Sequence, residues 1–146
     1  MITFHNVTLQ EIPTIKQLHL KTSLATYCDF LSQEIIHKMG VTEEDLLNEA
    51  KNSAIYFQVA KNDLGEIVGF IEAERKNTDE VHIIRIYVHP DFQGKGIGKK
   101  LLFKAISRFK NTKKITLELH EKNIKAKNFY LSQGFKIIGK KQMIFY

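Results

Sequence analysis

The stretch IYVHPDFQGKGIGKKLL, residues 86–102, decides the reading of this chain. A β-branched run stops at Pro90, which cannot donate to a ladder. Three glycines follow at alternate positions, Gly94, Gly96 and Gly98, and an apolar-periodic segment begins at once. Strand, glycine turn and helix together make the geometry of an anion site. Glycine lets main-chain amides approach a ligand with no Cβ in the way, and successive N–H groups form a concavity for phosphate oxygens. The helix start adds unpaired donors and the positive end of its dipole. Lys95, Lys99 and Lys100 strengthen the field. The nucleoside-triphosphate loop is excluded, because GK followed by Ser or Thr is missing. The dinucleotide fingerprint is excluded too, because it follows the first strand of a βαβ unit. A glycine corner also serves as a plain tight turn, so alone it leaves both readings open.

Working outward, the spacing predicts a helix from Ile97 to about Lys110. Its apolar stripe is Ile97, Leu101, Leu102, Ala105, Ile106 and Phe109, with Lys100, Lys104 and Arg108 opposite. A strand is expected at 114–120, a helix at 123–132 closed by Gly134, and one or two strands at 135–139 and 142–146. On the other side, 81–88 reads as an interior strand. Residues 55–61 and 66–74 read as a hairpin around Asn62-Asp63-Leu64-Gly65. Helical spacing from Glu11 to Lys38 breaks near Thr22 to Asp29, Thr42 opens a further short helix, and 2–8 forms the first strand. The expected order is β-α-α-β-β-β-α-β-α-β-β. This is an α/β (α+β) single domain over residues 1–146, a mixed central sheet of about six to seven strands flanked by helices.

Composition narrows the classes. At 146 residues and 43% hydrophobic, the chain buries a real core and is not disordered. No apolar run approaches the ~20 residues of a bilayer span, and the N-terminus lacks a basic-then-apolar leader, so a cytoplasmic protein with no membrane partner is expected. The single cysteine, Cys28, excludes an internal disulfide framework and reads as a buried or inert thiol. His19, His37, His89 and His120 lack metal-ligand pairing, so no metal is expected. The net charge of +6 suits an anionic partner. Nucleic acid is disfavoured, because the lysines track one helix and the glycine turn rather than alternating with aromatics.

A second cluster separates the two readings of the turn. NIKAKNFYLSQGF, residues 123–135, lies roughly 25 residues beyond it. With Gln93, Gly96 and Gly98, it resembles the GNAT superfamily of acyl-CoA-dependent N-acetyltransferases over about Ile55 to Phe135. TSLATYCDFLSQEI (22–35), TEEDLL (42–47), IRIYV (84–88) and EKN (121–123) faintly resemble the bacterial polyamine acetyltransferase branch. The resemblance implies a pantetheine arm between parallel strands 81–88 and 114–120, held by main-chain groups of Ile86, Tyr87 and Val88. It implies pyrophosphate on the amides of Gln93, Gly94, Lys95, Gly96, Ile97, Gly98 and Lys99, with Asn123 also touching acetyl-CoA.

The same resemblance makes Tyr130 the acid that protonates the departing thiolate, although a core aromatic is the alternative for this position. Near Val88, a main-chain N–H would stabilise the tetrahedral oxyanion. Many relatives place a glutamate base eleven residues before the glutamine; here that position is His82, a departure from the pattern. A histidine still accepts protons near neutrality, with Glu72, Glu74 and Glu80 as rivals. Strand alternation puts Arg85 opposite His82, as a structural ion-pair partner. The acceptor is expected to be a polyamine or other small amine, drawn by Glu34, Glu43, Glu44 and Asp45. A peptide acceptor or a non-catalytic acyl-CoA sensor remains open, and strand edges near the C-terminus admit a homodimer.

Overall fold

The computed structural model describes residues 1–146. Seven strands form one sheet in the order β1-β2-β3-β4-β5-β7-β6: β1 Thr3–Asn6, β2 Ile55–Lys61, β3 Ile67–Arg75, β4 Glu80–Val88, β5 Lys114–Glu118, β6 Lys136–Ile137 and β7 Gln142–Phe145. The helices are α1 Ile12–Tyr27, α2 Gln33–Lys38, α3 Glu43–Lys51, α4 Ile97–Arg108 and α5 Ile124–Ser132. This matches the expected mixed α/β sheet, with one more helix ahead of β2 than the expected order held. The extra helix arises because Tyr27 O takes turn bonds from Phe30 and Leu31, and the Ser32 side chain then accepts from Ile35 N to start α2. Thr42 caps α3 by accepting from Asp45 N at 3.0 Å. In the β2–β3 turn, Asn62 Oδ1 accepts from Leu64 N and Glu66 N, and Gly65 takes φ 77°.

Each sheet face carries its own core. On one, Leu101, Leu102 and Ala105 of α4 pack against Ile71, Ala73, Val81 and Ile83 of the sheet, with Tyr130 and Phe135 closing the layer. On the other, Ile12, Ile15 and Leu18 of α1 and Leu46 of α3 cover Phe57, Val59 and Phe70. Each fully buried Leu or Ile contributes about 1.5–3 kcal/mol, so the helices are held mainly by packing. No helix is long and apolar enough to cross a membrane.

Gly69 in β3 is required by close approach. A Cβ there would lie 2.9 Å from Tyr87 O and 3.3 Å from Leu101 Cδ1. Gly69→Ala is therefore expected to lower stability by about 1–3 kcal/mol, the usual effect of overpacking; a urea titration reads this as a lower midpoint.

Two irregularities in β4 prepare the site. Across from β3, Glu72 pairs with Arg85 but Ala73 pairs with Ile83, which leaves Ile84 as an inserted residue. A bulge resets strand alternation. As a result Arg85 and His82 lie on the same face, each opposite a glutamate (Glu72 and Glu74), where simple alternation had put them on opposite faces. The second irregularity is the short β4–β5 ladder. This parallel pair of strands is bonded only over Glu80–Ile83 and Lys114–Leu117. Beyond it the strands separate, and Leu119 N donates instead to Lys141 O at 2.8 Å.

Candidate active site

Where β4 and β5 part, a cavity of about 330 Å³ opens, walled by Ile83 to Tyr87, Leu117 to His120 and side chains of α1 and α5. A second cavity of about 410 Å³ adjoins it under the glycine turn. Ile86, Tyr87, Asn123, Ala126 and Tyr130 line both, so the two form one continuous cleft.

The turn is built as a cradle of amides. Pro90–Phe92 make a 3-10 turn in which His89 Nδ1 accepts from Asp91 N. Gly94 and Gly96 then take φ 78° and 81°, the left-handed region that glycine tolerates. Gly98 does not; a Cβ there would make ordinary contacts, 3.6 Å from Phe129 Cζ and 3.7 Å from Val88 Cγ2, so neither backbone nor packing demands glycine at this position. The main-chain N–H groups from Gly94 to Lys99 have no acceptor within the protein, and Lys100 N is the first to bond back, to Gly96 O. Free donors at a helix start suit an anion. Gln93 braces the turn: its Nε2 donates to Val88 O at 3.0 Å, while Lys125 Nζ donates to its Oε1. Lys95 Nζ sits 5.1 Å from the Phe92 ring centre.

Tyr130 reaches the cleft because of how α5 ends. Gly134 takes φ 100°, its N–H bonds Leu131 O, and Phe135 N bonds Tyr130 O at 3.0 Å. This is a Schellman close, with the accompanying apolar contact supplied by Phe135 against the Tyr130 ring at 5.3 Å. The phenol is 5% exposed and its hydroxyl makes no hydrogen bond to the protein. Burial holds its pKa above the ordinary phenol value, so it keeps its proton at neutral pH. Asn123 caps α5 by accepting from Ala126 N at 3.1 Å, and its Nδ2 donates to the Tyr27 hydroxyl at 3.4 Å. Ile86 and Val88 lean toward the α4 core. Tyr87 turns to the opposite face, where it stacks on Phe70 and lies 4.5 Å from the His19 ring. Burial pushes its phenol up to about 12.

The candidate bases are placed differently. His82 lines neither cavity; it sits in the bonded part of the β4–β5 ladder, half-buried, with Nδ1 2.9 Å from Thr116 Oγ1. Glu72 is fully buried, and one Arg85 nitrogen bonds both Glu72 Oε1 (3.0 Å) and Glu49 Oε2 (2.6 Å). Arg85 thus fills its expected ion-pair role, yet it also lines the splayed cavity. Glu74 pairs with Lys76, and Glu80 lies 3.7 Å from Lys114. Glu34, Glu43, Glu44 and Asp45 are exposed, Glu34 being bonded to Lys38, and they line neither cavity. Cys28 is exposed rather than buried, because α1 ends just before it and the turn that follows packs through Phe30, against Tyr27 and His120, instead.

The sequence reading missed Thr22, Thr26 and Tyr27 of α1, and Lys125, Phe129 and Gln133 near α5, which line the cleft. A signal existed for the first group. His19, Thr22, Ser23 and Thr26 recur at helical spacing on the face that carries Ile12, Ile15 and Leu18, and a polar stripe on a buried face marks a ligand wall. Thr22 Oγ1 is buried without a partner.

Comparison with known proteins points the same way as the cleft. The acetyltransferase (GNAT) family model matches residues 20–135. The chain is 28% identical over 145 residues to a spermidine N(1)-acetyltransferase of Thermoplasma acidophilum, across 93% of this chain and 89% of that protein. It is 30% identical over 115 residues to peptidyl-lysine N-acetyltransferase YjaB of Salmonella typhimurium, across 79% of this chain and 70% of that protein. The crystal structure of PaiA N-acetyltransferase from Thermoplasma acidophilum, in complex with coenzyme A, superposes with TM-score 0.89 at 26% identity, covering 99% of this chain and 97% of that one.

Proposed function

The chain belongs to the acetyltransferase (GNAT) family, and we propose from this premise how its cleft divides the work of an acetyl-CoA-dependent N-acetyltransferase. The observation that carries the assignment is the run of six acceptor-free amides from Gly94 to Lys99. These receive the diphosphate of acetyl-CoA, with Gln93 bracing the loop and the Lys95 and Lys99 charges adding attraction. The pantetheine arm then follows the continuous cleft past Asn123 and main-chain groups of Val88, Tyr87 and Ile86 to the gap between β4 and β5. Holding thioester and amine together in that gap supplies much of the rate through proximity.

In the chemical step, the amine lone pair attacks the thioester carbon and a main-chain N–H near Val88 takes up the developing oxyanion. The intermediate collapses as the C–S bond breaks, and Tyr130 donates its proton to the thiolate. The buried phenol carries its proton at neutral pH, so it has one to give when the thiolate forms beside it.

The acceptor is proposed to be a flexible aminoalkyl chain, a polyamine above all. Two observations support this: the relatives act on spermidine or on peptidyl-lysine, which share a primary ammonium on an alkyl arm, and Glu118 stands in the cavity wall to attract that charge. The cytoplasm, where acetyl-CoA is made, is the proposed compartment. A free-thiol release assay with acetyl-CoA against spermidine, spermine, a lysyl peptide and an N-terminal peptide tests the reading. Turnover highest with polyamines is expected; turnover only with peptides would reassign the acceptor. Tight coenzyme A binding with no turnover would leave a sensor.

The cradle has its own test. Gly96→Val puts a branched residue at φ 81°, which costs about 1–2 kcal/mol. Acetyl-CoA affinity by calorimetry is expected to fall about tenfold, the equivalent of ~1.4 kcal/mol.

A further inference from the structure

Three side chains on the sheet face behind the cleft form a chain of hydrogen bonds. His82 Nδ1 lies 2.9 Å from Thr116 Oγ1, and Thr116 Oγ1 donates to Glu80 Oε2 at 2.8 Å. The direction of the chain follows from proton counting. A carboxylate only accepts, and a threonine hydroxyl has one proton to give. That proton goes to Glu80, so Thr116 meets His82 with a lone pair and the imidazole must donate from Nδ1. The neutral ring is therefore the Nδ1–H tautomer, with a bare lone pair on Nε2, and Nε2 makes no hydrogen bond to the protein.

The position of the chain gives that lone pair a use. His82 and Thr116 are opposite each other in the β4–β5 ladder, which ends one residue later at Ile83 and Leu117. The residues that follow, Ile84 and Glu118, already line the cavity. Ile83 and Leu117, one residue on from His82 and Thr116, also line it; one residue of strand advances about 3.3 Å, within the about 5–6 Å that one water joined by two hydrogen bonds spans.

We propose that Thr116 and Glu80 are positioning residues that lock His82 as the Nδ1–H tautomer, so that Nε2, through one water, removes the proton of the attacking amine. The proposal rests on the acetyltransferase reading of the cavity. As the C–N bond forms, the thioester carbonyl pair moves to oxygen and the amine nitrogen becomes cationic. One of its protons passes by way of the water to Nε2 and later to solvent. The proton that converts the departing thiolate to thiol comes from Tyr130, whose phenolate regains one from solvent as the His82 imidazolium gives one up, so charge and protons balance.

The surroundings suit a base that is neutral at physiological pH. Burial is the largest influence on His82, and it lowers the pKa; Lys76 beyond β3 lowers it further. Glu118 on β5, Glu74 on β3 and Glu80 on β4 oppose, and the net direction is down from 6.5. On β7, the neighbour of Thr116 is the apolar Ile144.

Two readouts test the proposal. Two-bond proton–nitrogen spectra of the free protein assign the His82 tautomer, and the pH profile of kcat/KM for spermidine follows the base. Nδ1–H is expected in the wild type. Thr116→Val is expected to lose that tautomer and to lower kcat by about 10- to 100-fold, the range seen when the partner that orients a metal-ligating histidine is removed, with KM for acetyl-CoA unchanged. Thr116→Ser, which keeps the hydroxyl, is expected to restore both. Glu80→Gln still accepts from Thr116 but removes an anion that favours the imidazolium, so the acidic limb of the profile is expected to move to lower pH. An Nε2–H tautomer in the wild type, or a Thr116→Val enzyme with wild-type kcat and profile, overturns the relay and leaves the acetyltransferase reading standing. No transfer to any amine by the wild type overturns that reading and this inference with it. Thermal melts of each variant separate misfolding from lost chemistry, and Thr116→Ser remains decisive where Thr116→Val unfolds.

Discussion

Replacing Tyr130 by phenylalanine is expected to lower kcat by about 10²–10⁴-fold, the usual range for a positioned general acid, while acetyl-CoA affinity changes little. The ring is fixed by neighbours that the substitution does not touch: the Schellman close at Gly134 and edge contacts with Phe129 and Phe135. The Phe variant should therefore fold and bind as the wild type does, isolating the loss of one proton donor. Thiol release under saturating acetyl-CoA measures kcat, and calorimetry measures binding. A Phe variant with wild-type kcat would return Tyr130 to a packing role and give the thiolate its proton from water.

The second large effect is on stability. Arg85→Ala is expected to destabilise the fold by about 1–3 kcal/mol at neutral pH, the usual cost of leaving a buried polar group without its hydrogen-bond partner. Glu72 is fully buried, its Oε1 is bonded by Arg85 and its Oε2 has no partner. Burial first, and then a hydrogen bond with the neighbouring Glu49 carboxylate and its charge, outweigh Arg85 and raise the Glu72 carboxyl to about 8.

A raised carboxyl means that folding takes up a proton. Its stabilising contribution is complete below the ordinary 4.5 and fades as pH rises through about 8. Removing Arg85 removes an influence that lowers this pKa, so the deficit of the variant relative to wild type should stay level below about pH 7 and widen above about 8, where only the variant's folded state still holds the proton. Glu72→Gln in the Arg85→Ala background should flatten that dependence. Urea unfolding across the pH range provides the check, and a deficit independent of pH would show that the lost contacts of the arginine stem dominate instead.

How much of this was legible in advance differs from residue to residue. Thr42, Asn123 and Gly134 were readable as helix ends, and each performs a cap or a helix close. Gly94 and Gly96 were readable as turn glycines, and both are left-handed. The resemblance of residues 93–98 and 123–135 carried the family. By contrast, alternation put Arg85 on the wrong face, because the inserted Ile84 is created by pairing with β3 and leaves no mark in the local pattern. Glu72 read as one of two equivalent strand glutamates; packing of α1 and α3 over the sheet is what buried it while Glu74 stayed beside Lys76. Thr116 carried no signal at all, since its importance comes from meeting His82 across a parallel ladder 34 positions away.

By itself, then, the sequence determined the elements and the anion cradle, because caps, turns and free helix-start amides are governed by residues within a few positions of one another. The tertiary structure decided which carboxylates are buried, which side chains share a face, and where β4 and β5 part to admit a ligand. Those depend on strand partners far apart in the chain, and on a bulge that only their pairing brings into being.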